Sequence, residues 1–272
     1  MGMEFSRGFR IFLRVCMWIG LAILYIPLIL IVVNSFNKSK TFSFPPTGLT
    51  VEWWIAASHS TGALAALGTS VIAGVGATVV ALLLGTMAAF AVQRYRFFGR
   101  QTISFLVVLP ITFPGIVTGL ALLASFANIL GPLGVGLGIG TVIIGHATFC
   151  IVIVFNNVQA RLRRLGTSLE EASADLGGTG WQTFRYVTFP SIRGALVAGA
   201  LLAFALSFDE IVVTTFTAGP EVQTLPIWIF GNLFRPNQAP VVNVVAAVLT
   251  IVAIVPVWLS QRIAGDSVTS RV

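Results

Sequence analysis

This sequence predicts an all-α integral membrane protein with six transmembrane helices and both termini in the cytoplasm. Three observations carry that expectation. The chain is 56% hydrophobic and only 9% charged, with a mean hydropathy of +0.94, against about 25% charged residues in an ordinary soluble domain. Its apolar residues gather into six runs, at about 12–34, 64–92, 102–127, 141–159, 194–217 and 241–261. Each is near the ~20 residues that carry a helix across ~30 Å of hydrocarbon. The cations are also sorted by side. With the N-terminus inside, thirteen of the sixteen Lys and Arg fall in inner segments, and only Lys38, Lys40 and Arg235 fall outside, the bias that orients spans. The net charge of +7 is then topogenic, and nucleic acid is not an expected partner. Helices rather than sheets are expected, because backbone groups in lipid must be satisfied within a helix or a closed barrel.

Each element has its own local reason. Arg7, Arg10 and Arg14 lead into the first run, and Val15 to Asn37 carries no charge. That stretch is longer than the core of a signal peptide, and no small-x-small cleavage site follows it, so it reads as a retained first helix. The outer loop at 37–62 holds Pro45-Pro46 and Gly48, which oppose regular structure, then Trp53-Trp54, suited to the headgroup level. The second run places Gly68, Gly74, Gly76 and Gly85 with Ala88 and Ala89, small residues that let helix backbones approach. Pro110 and Pro114 each remove a backbone donor from the third run and predict kinks. Kinked spans in transporters often line the substrate path, although a plain structural kink fits as well.

The fourth run holds His146, read as a packed, hydrogen-bonded residue, and Cys150. Cys16 and Cys150 belong at different depths, so both read as packing residues with no disulfide between them. After the fifth run Gly219-Pro220 turns the chain. Leu225 to Phe230 is apolar but too short to cross, bounded by Pro226 and by Arg235-Pro236, and predicts an outer interfacial or re-entrant helix. Residues 1–272 read as one transmembrane domain.

The polar segment 160–193, between the fourth and fifth runs, predicts two short capped helices on the cytoplasmic side. Ser168 caps the first and Glu171 returns to it, and Gly177-Gly178 stops it. Thr179 and Gln182 form a second capping box. Trp181, Phe184 and Val187 then share one apolar face, and Pro190 disfavours helix at Phe189 and ends it. Such a pair can insert into a groove on a partner or lie on lipid. The acids Glu170, Glu171 and Asp175 argue against anionic headgroups.

Glu171-Ala172-Ser173, then Gly177, Val187 and Pro190, form a pattern that resembles the EAA loop of type I ABC importer permeases. Ser173 stands for a second alanine and Phe189 for a common leucine. The resemblance implies the six-helix core of those permeases in a bacterial inner membrane. It implies that the first loop helix is a coupling helix seated on an ATPase, with Glu170, Glu171, Ala172, Asp175, Gly177 and Pro190 as its coupling residues. It further implies a homologous second permease, two ATPase subunits and an extracytoplasmic solute-binding protein as partners, within membrane lipid. The chain has no G-x-x-x-x-G-K-[ST] loop, and its only lysines are Lys38 and Lys40, both expected outside. ATP and Mg are therefore expected on the partner ATPase, with no cofactor or metal in this chain. No zinc motif or nucleophile elbow points to an enzyme.

Asp209 and Glu210 interrupt a fifth run that is otherwise uncharged from Gly194 to Thr217. One carboxylate at mid-span costs ~2.5–3.5 kcal/mol on insertion scales. Asp209 lies roughly 22 Å along the helix from Gly194, beyond the midplane toward the outside. Adjacent helical residues point about 100° apart, so one acid is expected to face a path and the other a neighbouring helix. A structural pair satisfied by Ser207, Thr214 or a partner is the other reading.

Leu206 to Phe216, Gly219-Pro220 and Leu225-Pro226, with Leu109-Pro110-Ile111 and Pro114-Gly115-Ile116-Val117, are similar to the polyamine-importer branch, the C-type permeases of spermidine/putrescine systems. That resemblance implies Asp209 and Glu210 as contacts for ammonium groups, with Pro110 and Pro114 along the path. A permease for another cationic solute remains an alternative. So does an ion-coupled secondary transporter or channel in which the acids carry the coupling ion.

Overall fold

The computed structural model describes residues 6–235 and 238–269. Pro236, expected to bound the short apolar helix, and Arg271, expected on the inner side, lie outside them. Among the described residues the chain is helical, with no strand and one isolated bridge between Asn37 and Leu49. Twelve helices follow in order: α1 (Arg7–Ser35), α2 (Glu52–Ser58), α3 (Thr61–Arg94), α4 (Arg100–Thr112), α5 (Gly115–Ile129), α6 (Ile139–Leu165), α7 (Ser168–Asp175), α8 (Gly180–Thr183), α9 (Phe189–Phe208), α10 (Val212–Thr217), α11 (Leu225–Asn232) and α12 (Ala239–Thr269). A π-turn at Phe184–Thr188 joins α8 to α9. Among the described residues, five helical stretches are long and apolar enough to cross a membrane: Arg7–Ser35, Thr61–Arg94, Gly115–Leu133, Ile139–Leu165 and Gly180–Phe208.

Packing divides the described residues into two compact units. One joins the residues up to Thr61 to Ile229–Val252, and the other joins Gly62–Trp228 to the residues from Ala253 onward. The first unit is organised around Asn37, which is buried. Its side-chain Nδ2 donates to Ser43 Oγ at 2.9 Å and its Oδ1 accepts from the backbone N–H of Ser39 and Thr47. Trp53 Nε1 donates to Asn37 O at 3.0 Å, and the Trp54 ring stacks on Phe36 at 5.1 Å. Both tryptophans, expected as headgroup anchors in an irregular loop, therefore sit on a short helix and fasten the loop to the end of α1. Cys16 is exposed on α1, so the packing role expected for it is not observed, whereas Cys150 is buried as expected; both are free thiols.

The second unit is built on α6, which buries His146, Cys150, Phe155, Val158 and Leu162 against α3 and α9. Small residues make this possible. A β-carbon on Gly85 would stand 2.9 Å from Ile151 O and 3.1 Å from Phe155 N, so α3 and α6 are in backbone contact there. In lipid, where water supplies no drive between helices, such close approach supplies dispersion contact instead.

Two of the expected spans are broken rather than continuous. The 102–127 run divides at Phe113-Pro114: α4 ends on extended Phe113, and Pro114 precedes the first turn of α5. Pro110 is accommodated inside α4, but Pro114 is followed by Gly115, and the residue before a proline is driven out of the helical region. The 194–217 run stops at Phe208, and Asp209–Ile211 separates α9 from α10.

A third expectation is also corrected. Pro190 does not end a helix; it lies in the first turn of α9, continuous with α8 through the π-turn. The wider turn opens the backbone just where Pro190 can neither donate nor clear a tight turn. Ser191 Oγ donates to Val187 O at 2.6 Å within the same turn.

Candidate functional site: the capped loop and the broken spans

The loop at Ser168–Thr188 is shaped by its caps. α7 starts on Thr167, whose carbonyl accepts from the N–H of both Glu170 and Glu171, at 3.0 and 2.9 Å. The capping box expected at Ser168 does not form, because the helix begins one residue earlier. The second box does form: Thr179 N donates to Gln182 Oε1 at 2.8 Å and Gln182 N to Thr179 Oγ1 at 3.4 Å.

At the other end of α7, Gly177 N donates to Ala174 O and Gly178 N to Ser173 O, both at 2.9 Å. This is the paired closure of a Schellman motif. It needs a left-handed residue, and Gly177 supplies it with φ +79°. Gly178 is held for a different reason: a β-carbon there would meet Ser173 O at 2.8 Å. Ser173 Oγ and Thr183 Oγ1, 2.9 Å apart, tie α7 to α8.

The acids of α7 divide by face. Glu170 turns inward, with Arg94 Nε 2.9 Å from its Oε2 and Thr188 Oγ1 donating to its Oε1 at 3.0 Å. Arg94 Nε has no acceptor in hydrogen-bond geometry, so the first contact is a close ion pair rather than a directed hydrogen bond. One carboxylate thus joins α7 to the last turn of α3 and to the π-turn. Glu171, Ala172, Asp175 and Gly177 are exposed, as is Pro190 at the start of α9. Beside them stand exposed apolar residues that sequence reasoning passed over: Leu176 at 90%, Tyr186 at 72% and Leu169 at 52%. A leucine between an acid and a helix-stopping glycine was the available signal, since such a position cannot reach the core. Arg94 was read only as a topogenic charge, and nothing local marked it as the partner of Glu170.

The two breaks lie side by side. A β-carbon on Gly115 would touch Val212 Cγ1 at 3.4 Å, which puts the Pro114 break against the first residue of α10. Pro110 lies inside α4, more than a turn earlier. At the break in the fifth run the acids separate. Glu210 Oε1 accepts from Val213 N at 2.8 Å, and Glu210 O accepts from Thr214 Oγ1 at 2.7 Å, so Glu210 caps α10. Asp209 is exposed, and its side chain makes no hydrogen bond or ion pair among the described residues. Ser207 and Thr214 do not satisfy the acids' carboxylates. They hold His146, whose Nδ1 is 2.7 Å from Ser207 Oγ and whose Nε2 is 2.8 Å from Thr214 Oγ1. The histidine is packed and hydrogen-bonded, as the sequence suggested.

The capped loop and the broken apolar span with its unpartnered carboxylate thus lie in one helical chain. Residues 81–265 match the family described as binding-protein-dependent transport system inner membrane component. This chain belongs to that family. Within it, the inner-membrane component is 34% identical over 245 residues to the spermidine/putrescine transport system permease protein PotC of Escherichia coli (strain K12), covering 90% of each chain. It is 35% identical over 238 residues to the putrescine transport system permease protein PotI of the same organism, covering 86% of this chain and 84% of that one.

Its fold is that of a chain in the crystal structure of a bacterial ABC transporter involved in import of the acidic polysaccharide alginate. The TM-score is 0.69 at 18% identity, with 98% and 100% of the two chains covered. The matched family segment takes in the loop, both breaks and the acids.

The tie between α3 and α7 yields an expected result for this transport component. Arg94→Glu sets two carboxylates together at the partly buried contact and lowers uptake by the assembled transporter about tenfold, consistent with about 1–2 kcal/mol of lost coupling. The exchange Arg94→Glu with Glu170→Arg restores part of it. Initial uptake rates normalised to membrane-inserted protein check this; equal rates in all three proteins would make the ion pair incidental.

Proposed function

We propose that this chain is one of two homologous permease subunits of an ATP-binding-cassette importer that carries putrescine or spermidine into the cytoplasm. The observation that carries the substrate class is the Asp209 carboxylate, left without a protein partner at a break in an apolar helix. A group of that kind, costly in lipid, is set to meet a cation that passes and leaves. Relationship to the two polyamine permeases over nearly the whole chain supports the same class. In this reading residues 1–272 form one transmembrane domain of six spans, α12 completing the set. Both termini are cytoplasmic, which is supported by the sorting of Lys and Arg.

The loop at Ser168–Thr188 is the docking element for the ATPase. Leu176, Leu169 and Tyr186 enter its groove, with Glu171 and Asp175 on the rim. ATP and Mg are held on that partner, and an extracytoplasmic binding protein delivers the substrate. One helical rod runs from Gly180 through the π-turn to Phe208, roughly 40 Å at 1.5 Å per residue. It connects the loop to Asp209, so a displacement of the docked loop reaches the break. Glu170 passes the same displacement to α3 through Arg94.

Uptake of labelled putrescine and spermidine, in cells carrying the complete gene cluster with and without this chain, tests the proposal. Accumulation should disappear with the chain and return on complementation. Unchanged accumulation in a strain with no other polyamine importer would overturn the substrate class. Co-purification with the ATPase subunit separately tests the docking role, and its failure would favour an ion-coupled carrier.

A further inference from the structure

Nothing in the local sequence requires the fifth run to break at Asp209. Between Gly199 and Gly219 there is no glycine or proline, and breaks in helices ordinarily sit at such residues or where a side chain inserts into the hydrogen-bond ladder. Glu210 caps the second half locally, and α6 supplies the contacts that join the two halves across the break.

Four side chains of α6 bond to α9 or α10 at successive levels, the first through Arg161 Nε, which donates to Ser191 O at 2.9 Å. Cys150 Sγ donates to Ala203 O at 3.3 Å in α9, His146 reaches both sides of the break, and Thr141 Oγ1 donates to Thr217 O at 2.7 Å at the end of α10. Among the described residues, only the histidine bonds to both half-helices. Ser207 and Thr214 are buried, and His146 is completely so.

The protons in this cluster can be placed by elimination. Glu210 O can only accept, so the Thr214 hydroxyl proton goes to it, at 2.7 Å. Thr214 Oγ1 must then accept from His146 Nε2–H, and in the neutral ring Nδ1 accepts from the Ser207 hydroxyl. The result is a directed chain from Ser207 through the neutral imidazole and Thr214 to the backbone carbonyl of Glu210. It begins two residues before Asp209 and ends on the residue after it. Glu210 Oε1 closes the next turn by accepting from Val213 N.

We infer that His146 is the positioning residue of the broken fifth span: by bonding Ser207 on one half-helix and Thr214 on the other, it holds the break open and fixes the direction in which the Asp209 carboxylate points. The inference on geometry stands by itself, while its consequence for transport rests on Asp209 being a cation contact. Thr214→Val and His146→Leu each sever the chain at nearly constant volume, and the turn at Asp209–Ile211 then winds toward continuous helix. His146→Gln keeps one acceptor and one donor and preserves the bridge.

Two measurements separate geometry from consequence. In a Cys16→Ser, Asp209→Cys protein, with Cys150 buried, the labelling rate by a charged methanethiosulfonate reports exposure at the break. Thr214→Val and His146→Leu should each change that rate by about fivefold or more and His146→Gln much less, as expected for loss of a buried hydrogen-bond link worth about 1 kcal/mol. Rates that stay unchanged in both severing variants overturn the clamp.

In the whole transporter, putrescine uptake per ATP hydrolysed should fall about tenfold in Thr214→Val, while ATPase stimulation by the loaded binding protein persists. A merely structural defect would lower both together. In an Asp209→Asn background, Thr214→Val should cause no further fall, because the two act through one carboxylate. A full multiplicative loss there overturns the positioning role. If Asp209→Asn is itself silent while the labelling shift is present, the cation reading of Asp209 fails and the clamp stands.

Discussion

Asp209→Asn lowers putrescine uptake about tenfold to a hundredfold, whereas Glu210→Gln leaves it within about twofold of the parent. The first figure follows from losing one charge-assisted contact to an ammonium, worth about 1.5–3 kcal/mol. The second follows from what Glu210 does in the structure. Its Oε1 accepts from Val213 N, and an amide oxygen accepts from the same N–H with nearly the same geometry. The sequence expected both acids to be possible contacts, and neighbouring positions on a helix could not rank them. Initial uptake rates, normalised to inserted protein and compared with the ATPase rate, check the contrast. Equal loss in the two variants would mean that Glu210 also meets the substrate. Equal retention would return both acids to structural roles.

Gly177→Asp abolishes uptake while the protein still inserts at the normal level. Two effects combine. The left-handed φ of +79° costs a non-glycine residue about 1–2 kcal/mol. In addition, a carboxylate is placed at the carbonyl end of α7 beside Asp175, where the helix dipole disfavours it. In the free subunit this is a local loss at an exposed bend, since a β-carbon at Gly177 meets nothing within 4 Å. In a docked loop the same charge becomes buried and unpaired, at about 2–5 kcal/mol, enough to remove the ATPase at working concentrations. Gly177→Asn separates the causes, because asparagine tolerates the left-handed region and carries no charge. Substantial uptake in the Asn variant with none in the Asp variant is expected. Loss of both, with the ATPase still co-purifying, would assign the effect to backbone strain instead.

Much of the loop was legible because its signals are local. Gly177 and Gly178 after a polar helix, and Thr179 three residues before Gln182, specify caps that depend only on residues within a few positions. Where the expectation erred, at Ser168 and Pro190, the causes were a start one residue earlier and a widened turn, neither of which local rules resolve. The helix started on Thr167, and a π-turn made room for the proline. The inward direction of Glu170 was not legible at all. It follows from Arg94, which lies 76 positions earlier and meets it only in the folded chain.

By itself the sequence determined the helical class, the apolar runs, the uneven sorting of cations among the segments between them, the two-helix loop and the presence of two acids in an apolar stretch. These depend on composition and on spacings of a few residues, where hydrophobicity, capping and backbone propensity act without reference to the rest of the chain. The tertiary structure alone decided that the fifth run breaks at Asp209, that Glu210 caps the next turn and that Asp209 is left unpartnered. No glycine or proline lies between Gly199 and Gly219 to break the helix, and the Glu210 cap on Val213 N shapes only the start of the next turn. The break exists because His146, more than sixty positions earlier in the chain, binds Ser207 and Thr214 together, and a buried hydrogen-bonded bridge of that kind outweighs the local preference to remain helical.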